Sequence, residues 1–161
     1  CLLSRGLGDV YKRQGLPFQK TLTDYEMASG REAPSIIKIL AKTGVATQFN
    51  LLQTFPDYAR NLLQIEHDNH FTNEESGLGI VKFFKKFVKT RSTSPQVGTS
   101  NDAILSRAEH SLKNGDIEKA LKELDRLPLD LQNEMRDWYK KAKNHLEINN
   151  AMNKLIYFHT D

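Results

Sequence analysis

Apolar side chains recur at helical spacing in the last third of the chain. Two such stripes lie between residues 102 and 124, and Asn114, Gly115 and Asp116 separate them. The first stripe consists of Ile104, Leu105, Ala108 and Leu112, and the second consists of Ile117, Ala120, Leu121 and Leu124. Gly115 suits the left-handed residue that ends a helix, and Asp116 suits the cap that begins the next one. The pattern predicts a helical hairpin whose apolar stripes face each other.

A longer stripe follows the hairpin. Pro128 cannot continue the second helix, and Asp130 is suited to cap a third one. The stripe of this third helix consists of Leu131, Met135, Trp138, Ala142, Leu146, Asn149 and Met152. We expect one long helix, ending near His159, that covers the face which the hairpin cannot bury alone. Residues 102–159 are therefore predicted as a three-helix unit. Its structural or partner-binding residues are Leu112, Gly115, Asp116, Leu121, Leu124, Pro128, Trp138 and Leu146.

Residues 15–70 carry shorter helical stripes and form a predicted N-terminal subdomain. We expect one helix to end at Gly30, a second to lie between Pro34 and Gly44, and two more to meet at Pro56. The apolar positions of these helices are Phe18, Leu22, Tyr25, Ile36, Ile37, Leu40, Ala41, Phe49, Leu52, Phe55, Tyr58, Ala59, Leu62, Leu63 and Ile65. No stretch alternates with the period of a strand. The fold class predicted is all-α, a bundle of short helices ending in a hairpin and a long helix.

A basic amphipathic helix is predicted at residues 78–91, after a polar loop at 66–79. On a helical wheel the apolar residues fill one arc and four lysines fill the opposite arc. Such a helix can lie flat on an anionic membrane, and each lysine contributes on the order of 1 kcal/mol. The membrane-binding residues predicted are Ile80, Lys82, Phe83, Phe84, Lys85, Lys86, Phe87, Lys89 and Arg91. Residues 92–101, with Ser, Thr, Gly and Pro, are predicted to be a flexible linker.

An alternative interpretation places the same helix inside the protein. A helix with one apolar face usually packs on its own domain, with its lysines in solvent. In that case Phe83 and Phe87 are core residues, and the chain is a soluble helical-repeat interaction module, similar to a tetratricopeptide repeat, that ignores lipid.

The first fourteen residues differ in character from the rest. They resemble a translated sequencing-adapter string, so we exclude them from fold reasoning and expect the native chain to extend further upstream. The only cysteine, Cys1, lies within them. Without Arg5, Lys12, Arg13 and Asp9 the formal net charge falls from +3 to +1. The basic character of the whole chain is therefore partly due to this segment, and no cysteine-based metal site or disulfide is expected.

No catalytic constellation is visible. His67 and His70 have a metal-compatible spacing but no third ligand nearby, and lone histidines such as His145 are expected at the surface or at caps. Acids such as Glu123 are scattered among lysines at helical spacing. The rings of residues 82–87 face away from the lysines, which is wrong for stacking nucleic-acid bases. We predict a non-enzyme without cofactor, metal, small-molecule substrate or nucleic-acid partner.

The order of the motifs resembles that of the C-terminal domain of the mitofilin family, particularly its bacterial members, across about residues 15–158. The motifs are Leu16-Pro17-Phe18, Lys42-Thr43-Gly44-Val45, Phe55-Pro56-Asp57-Tyr58-Ala59-Arg60, the basic helix, Ala108-Glu109, Leu112, Gly115-Asp116, Ala120-Leu121, Glu123-Leu124, Leu127-Pro128, Trp138, Ala142, Leu146 and Ala151. The hairpin motifs are the most specific part.

The resemblance implies a non-enzymatic scaffold that organises crista junctions or bacterial intracytoplasmic membranes. It implies a location at an inner membrane, facing the periplasm or the mitochondrial intermembrane space. By this analogy residues 78–89 match the lipid-binding region, and the terminal helices match the surface for self-association or for a scaffold partner. Members of the family also carry an N-terminal anchor and a coiled coil, which we expect upstream of this sequence.

Overall fold

A computed structural model of the protein describes the backbone of residues 15–70 and 97–157, and the side chains of residues 15–65 and 97–155. Over these residues the chain is all α-helical, with no β-strand. The helices described are α1 (Gln19–Ser29), α2 (Ser35–Thr43), α3 (Gln48–His70), α4 (Asn101–Lys113), α5 (Ile117–Leu124), α6 (Leu129–Glu134) and α7 (Arg136–Tyr157). The fold class predicted from the helical spacing is confirmed.

The chain divides into two compact units. Among the residues described, one unit takes in residues 15–54 and 135–157, and the other takes in residues 55–70 and 97–134. The first crossing between units falls just before Pro56, whose nitrogen has no hydrogen to donate along the helix. The second crossing falls at Met135, between α6 and α7. Both crossings therefore coincide with a local interruption of helical hydrogen bonding. The segment boundaries predicted from the sequence stay predictions.

In the first unit α1 packs on α2, and α2 packs on the C-terminal helix α7. The backbone N–H of Phe18 donates to the carbonyl of Ala41 at 2.8 Å, which fixes the start of α1 beside α2. The buried cluster of this unit consists of Phe18, Leu22, Tyr25, Ala33, Ile37, Leu40, Ala41, Val45, Ile148, Ala151 and Met152. The core thus joins residues from the two ends of the described chain.

A carboxylate holds the turn between α1 and α2. The Ala33 N–H donates to Glu26 Oε1 at 2.8 Å, and Lys38 Nζ lies 3.3 Å from the same oxygen. The hydrogen bond from Ala33 lowers the pKa of Glu26, desolvation of the carboxylate opposes this, and Lys38 lowers it further. The turn is therefore favoured by the ionised form of Glu26.

The second unit contains the predicted hairpin. Helices α4 and α5 pack along their length, and both predicted stripes are buried. Gly115 has φ +80°, and the Asp116 side chain accepts from the Lys119 N–H at 2.9 Å. At the other end of the hairpin the Ser100 side chain caps α4 by accepting from Ala103 at 3.2 Å. The hairpin is confirmed with its caps, and α4 begins at Asn101, which was expected to be the last linker residue.

Three other boundaries are wrong. Helix α3 is continuous, with Pro56 inside it, because a proline removes only one hydrogen bond while burial of one face holds both sides together. Residues 66–70, expected in a loop, are helical. The single helix expected after Asp130 is two helices interrupted at Met135, and Asp130 lies in the first turn of α6 and is not its cap.

Two buried stripes are rotated relative to the predicted ones. On α3, Leu51 is buried, whereas Phe49 is 67% exposed. On α7, His145 and Ile148 are buried, whereas Leu146 is only half-buried. The expectation that His145 lies at the surface or at a cap is wrong. A helical stripe can continue with a step of either three or four residues. Because histidine is polar, the prediction placed Leu146 and not His145 on the stripe, which was incorrect.

Candidate functional site

The residues predicted to bind a membrane lie outside the part of the chain that the structure describes. They are Ile80, Lys82, Phe83, Phe84, Lys85, Lys86, Phe87, Lys89 and Arg91. The basic helix, and residues 92–96 of the linker after it, therefore stay predictions. The structure does describe the chain from residue 97 onward, where it enters the hairpin.

An ion-pair network holds this entry point against the hairpin. The guanidinium of Arg107 donates through Nη1 to the carbonyl of Gly98 at 2.8 Å and through Nε to Glu123 Oε2 at 2.8 Å. Arg126 Nη1 approaches the same carboxylate oxygen at 3.2 Å. Arg107 therefore joins three stretches of chain, namely the segment before α4, α4 itself and α5.

This network is more buried than the other ion pairs of the hairpin. The side chains of Arg107 and Glu123 are 21% and 12% exposed, whereas those of Lys122 and Glu118 are 70% and 67% exposed. The network was not predicted from the sequence, where Glu123 was grouped with acids scattered among lysines at helical spacing. A signal was present, because Arg107 and Glu123 each directly precede a stripe residue, the position from which a long side chain can reach across a hairpin.

Replacing Arg107 with methionine is expected to lower the free energy of unfolding by about 2 kcal/mol, since Glu123 and the Gly98 carbonyl both lose a charged donor. Removing a partner from the exposed pair by Lys122→Ala is expected to leave the urea midpoint nearly unchanged, because solvent screens that pair. Urea denaturation followed by circular dichroism measures both. Equal midpoints for the two variants would contradict a structural role for the network.

The predicted structural or partner-binding residues divide into an interior and an edge set. Leu112, Leu121, Leu124 and Trp138 are buried, and Leu146 is half-buried. Gly115, Asp116 and Pro128 are exposed, at the turn of the hairpin and after α5. The interior set maintains the fold, and partner binding through the exposed set stays a prediction.

Helix α7 is tied to the region around the start of α3 by two side-chain hydrogen bonds. The indole N–H of the fully buried Trp138 donates to the carbonyl of Leu51 at 3.1 Å. His145 Nδ1 lies 2.9 Å from the carbonyl of Ala46. Because a carbonyl oxygen can only accept, Nδ1 carries the hydrogen. The prediction that Trp138 lies on the buried stripe of the third helix is confirmed, and the contact of His145 was not predicted.

In residues 15–70 and 97–157 no helix combines the length and the apolar character that crossing a bilayer requires. The side chains described there contain no group of three histidine, cysteine, aspartate or glutamate residues that could hold a metal ion.

Comparison with known protein families gives one match. Residues 81–157 match the Mitofilin model, a family described as mitochondrial inner membrane protein. No curated protein and no solved structure matches the chain. The matched range begins within the predicted basic helix at residues 78–91 and ends at the last residue of α7.

Proposed function

We propose that this chain, whose residues 81–157 match the Mitofilin model, helps to organise an inner membrane as a non-enzymatic scaffold. The family is one of mitochondrial inner membrane proteins. The location proposed for this chain is the surface of such a membrane, on the intermembrane-space side or, in a bacterium, on the periplasmic side. Crista junctions or bacterial intracytoplasmic membranes are the structures that it would shape.

The extent of the family match is the observation that carries this proposal. The match takes in most of the predicted basic helix together with α4 to α7. The helix proposed to bind lipid and the helical unit proposed to contact other proteins thus lie within one family segment. That combination suits a scaffold, which has to attach to a membrane and also to other proteins.

In the proposed mechanism the lysines of the basic helix face anionic headgroups while Phe83, Phe84 and Phe87 insert shallowly. Each lysine near an anionic surface contributes about 1 kcal/mol, so the four contribute about 4 kcal/mol. Partial burial of the three rings adds to this. The sum supports weak, reversible binding by one copy, so that stable attachment needs several copies held together.

The Arg107 network would connect a membrane-bound basic helix to the hairpin. The carbonyl of Gly98 accepts a hydrogen bond from Arg107, and Gly98 lies seven positions after Arg91, a stretch that spans at most ~25 Å when fully extended. A basic helix ending at Arg91 is therefore tethered close to α4 and α5. The exposed residues of the terminal helices would then bind a second copy or a scaffold partner. Such association would hold many shallowly inserted helices together on the membrane.

The test is co-sedimentation of the full chain with phosphatidylcholine vesicles, with and without phosphatidylglycerol. Binding is expected only to the anionic vesicles. Changing Lys82, Lys85, Lys86 and Lys89 together to glutamate is expected to weaken it by roughly a thousandfold or more, the equivalent of about 4 kcal/mol. The variant Phe83→Ala with Phe87→Ala is expected to bind weakly while retaining its helical circular dichroism.

A matched control reverses four exposed lysines elsewhere, Lys20, Lys42, Lys119 and Lys122, and alters the net charge equally. This control is expected to retain most of the binding. If the parent chain ignores anionic vesicles, or if the double phenylalanine variant unfolds, the membrane mechanism fails. The rings of the basic helix would then belong to a core, as the alternative of a soluble protein-interaction module requires.

A further inference from the structure

Helix α7 presents a second basic surface, here named the α7 stripe. It consists of Arg136, Lys140, Lys143 and Lys154, which are all exposed. At 100° per residue these four side chains project within about 40° of a common direction. The buried residues Trp138, Ala142 and His145 lie on the opposite side of the helix. The stripe extends over about 27 Å of a 22-residue helix, and Glu147 lies on the same face.

The positive charge of α7 contrasts with the charge around the hairpin. Residues 136–157 contain five basic and two acidic residues, whereas residues 97–134 contain five basic and eight acidic residues. In the first unit Glu26 and Glu32 both pair with Lys38, each at 3.3 Å. Among the side chains that the structure describes, no carboxylate pairs with Lys140, Lys143 or Lys154. The charges of these three lysines are therefore available to an external anion.

An aromatic ring contacts a lysine in the middle of the α7 stripe. The ammonium group of Lys143 lies 5.6 Å from the centroid of the Tyr139 ring, within the range of a cation–π contact. Tyr139 is half-buried, so that its ring lies at the border between the core and the basic face. The contact restrains a lysine that would otherwise sample many rotamers, and it keeps the charge on the face of the stripe.

The composition of the stripe identifies the kind of partner. Protein interfaces are enriched in aromatic residues and methionine at their centre and depleted in lysine. The α7 stripe has three lysines and no exposed apolar centre, which suits a planar array of negative headgroups. We infer that the α7 stripe is a second membrane-contact surface, which binds anionic phospholipid by charge alone. This inference rests on the proposed membrane function, and it assigns part of the binding to a surface other than the basic helix.

The test uses the full chain and the same vesicles of phosphatidylcholine with or without phosphatidylglycerol. One variant combines Lys140→Glu, Lys143→Glu and Lys154→Glu. Each lysine near an anionic surface strengthens binding about fivefold, so this variant is expected to bind roughly a hundredfold more weakly. The matched control combines Lys20→Glu, Lys42→Glu and Lys119→Glu, with the same change in net charge on other exposed surfaces.

Circular dichroism establishes that both triple variants keep their helical content. Loss of binding in the α7 variant with retention in the control supports the stripe. An equal loss in both variants would overturn it in favour of a general charge effect. If the α7 variant binds like the parent while the variant of Lys82, Lys85, Lys86 and Lys89 does not, the inference fails and the proposed function stands.

A remaining outcome concerns a protein partner. If the α7 variant binds vesicles like the parent but sediments with a different oligomeric state in analytical ultracentrifugation, the stripe is a contact between copies and the inference fails. A parent chain that binds no anionic vesicle overturns both the inference and the proposed function. The two failures are thereby distinguished by the behaviour of the parent.

Discussion

Replacing Trp138 with alanine is expected to lower the free energy of unfolding by about 4 kcal/mol, the largest effect of any single substitution considered. The side chain is fully buried, so its removal leaves a large cavity in the first unit. It also leaves the Leu51 carbonyl without its indole donor. Since small domains are stable by only about 5–15 kcal/mol, a large part of the total stability would be lost.

Far-UV circular dichroism during urea denaturation measures this effect, because Trp138 is the only tryptophan and its variants have no indole fluorescence. Trp138→Phe keeps most of the ring and is expected to cost about 1–2 kcal/mol, mainly through the lost hydrogen bond. Tyr139→Ala, at the half-buried neighbouring position, is expected to cost less than about 1 kcal/mol. A midpoint for Trp138→Ala as high as that for Tyr139→Ala would show that α7 is not anchored through the indole.

Replacing Gly44 with alanine is expected to cost about 3 kcal/mol, for two physical reasons. Gly44 has φ +78°, a conformation that an L-residue with a Cβ adopts only with strain. A Cβ at this position would also come within 2.7 Å of the carbonyl carbon of Leu16 and into contact with the backbone of Gly15. Backbone atoms cannot rotate away as a side chain can, so the segment before α1 would have to move.

A second glycine with positive φ provides a comparison without the close approach. Gly30 has φ +65° and ψ +17°, the left-handed helical conformation, whereas Gly44 has ψ +176°, and a Cβ at Gly30 meets nothing within 4 Å. Gly30→Ala therefore tests the strain of the left-handed conformation without a steric clash and is expected to cost about 1 kcal/mol. Thermal or urea unfolding of the two variants compares them directly. Equal losses of stability would contradict a steric role for the close approach at Gly44.

The hairpin shows what could be predicted reliably. Its apolar stripes, the left-handed Gly115 and the cap at Asp116 were all predicted and are all confirmed. Each of these features depends on residues within one or two helical turns of each other. Local hydrogen-bonding requirements and helical periodicity leave few alternatives for such a segment, so the sequence is sufficient.

Pro56 and His145 show where the same reasoning failed. A proline usually ends a helix, but the loss of one hydrogen bond in α3 is offset by burial of Phe55 and Ala59 on either side of Pro56. His145 is polar, but the Ala46 carbonyl satisfies its ring nitrogen inside the fold. The deciding partner of His145 is 99 positions away in the sequence, and no local pattern identifies it.

The candidate site also contains a part that was predicted from the sequence and parts that were not. The periodicity of lysine and phenylalanine in residues 78–91 predicts a membrane-binding face, and that prediction awaits the vesicle experiments. The network of Arg107 with Gly98 and Glu123 was not predicted, because its members are separated by 9 and 16 positions. The α7 stripe was not predicted from the sequence either, because its exposure depends on which face of α7 is buried.

The sequence by itself determined the helical class, the hairpin and its caps, since these follow from spacing and local hydrogen bonding. Only the tertiary structure decided that Trp138 meets Leu51 and that His145 meets Ala46, across 87 and 99 positions. It also decided which side of α7 faces solvent. The physical reason is that an amphipathic pattern requires a helix face to be covered but does not specify the segment that covers it.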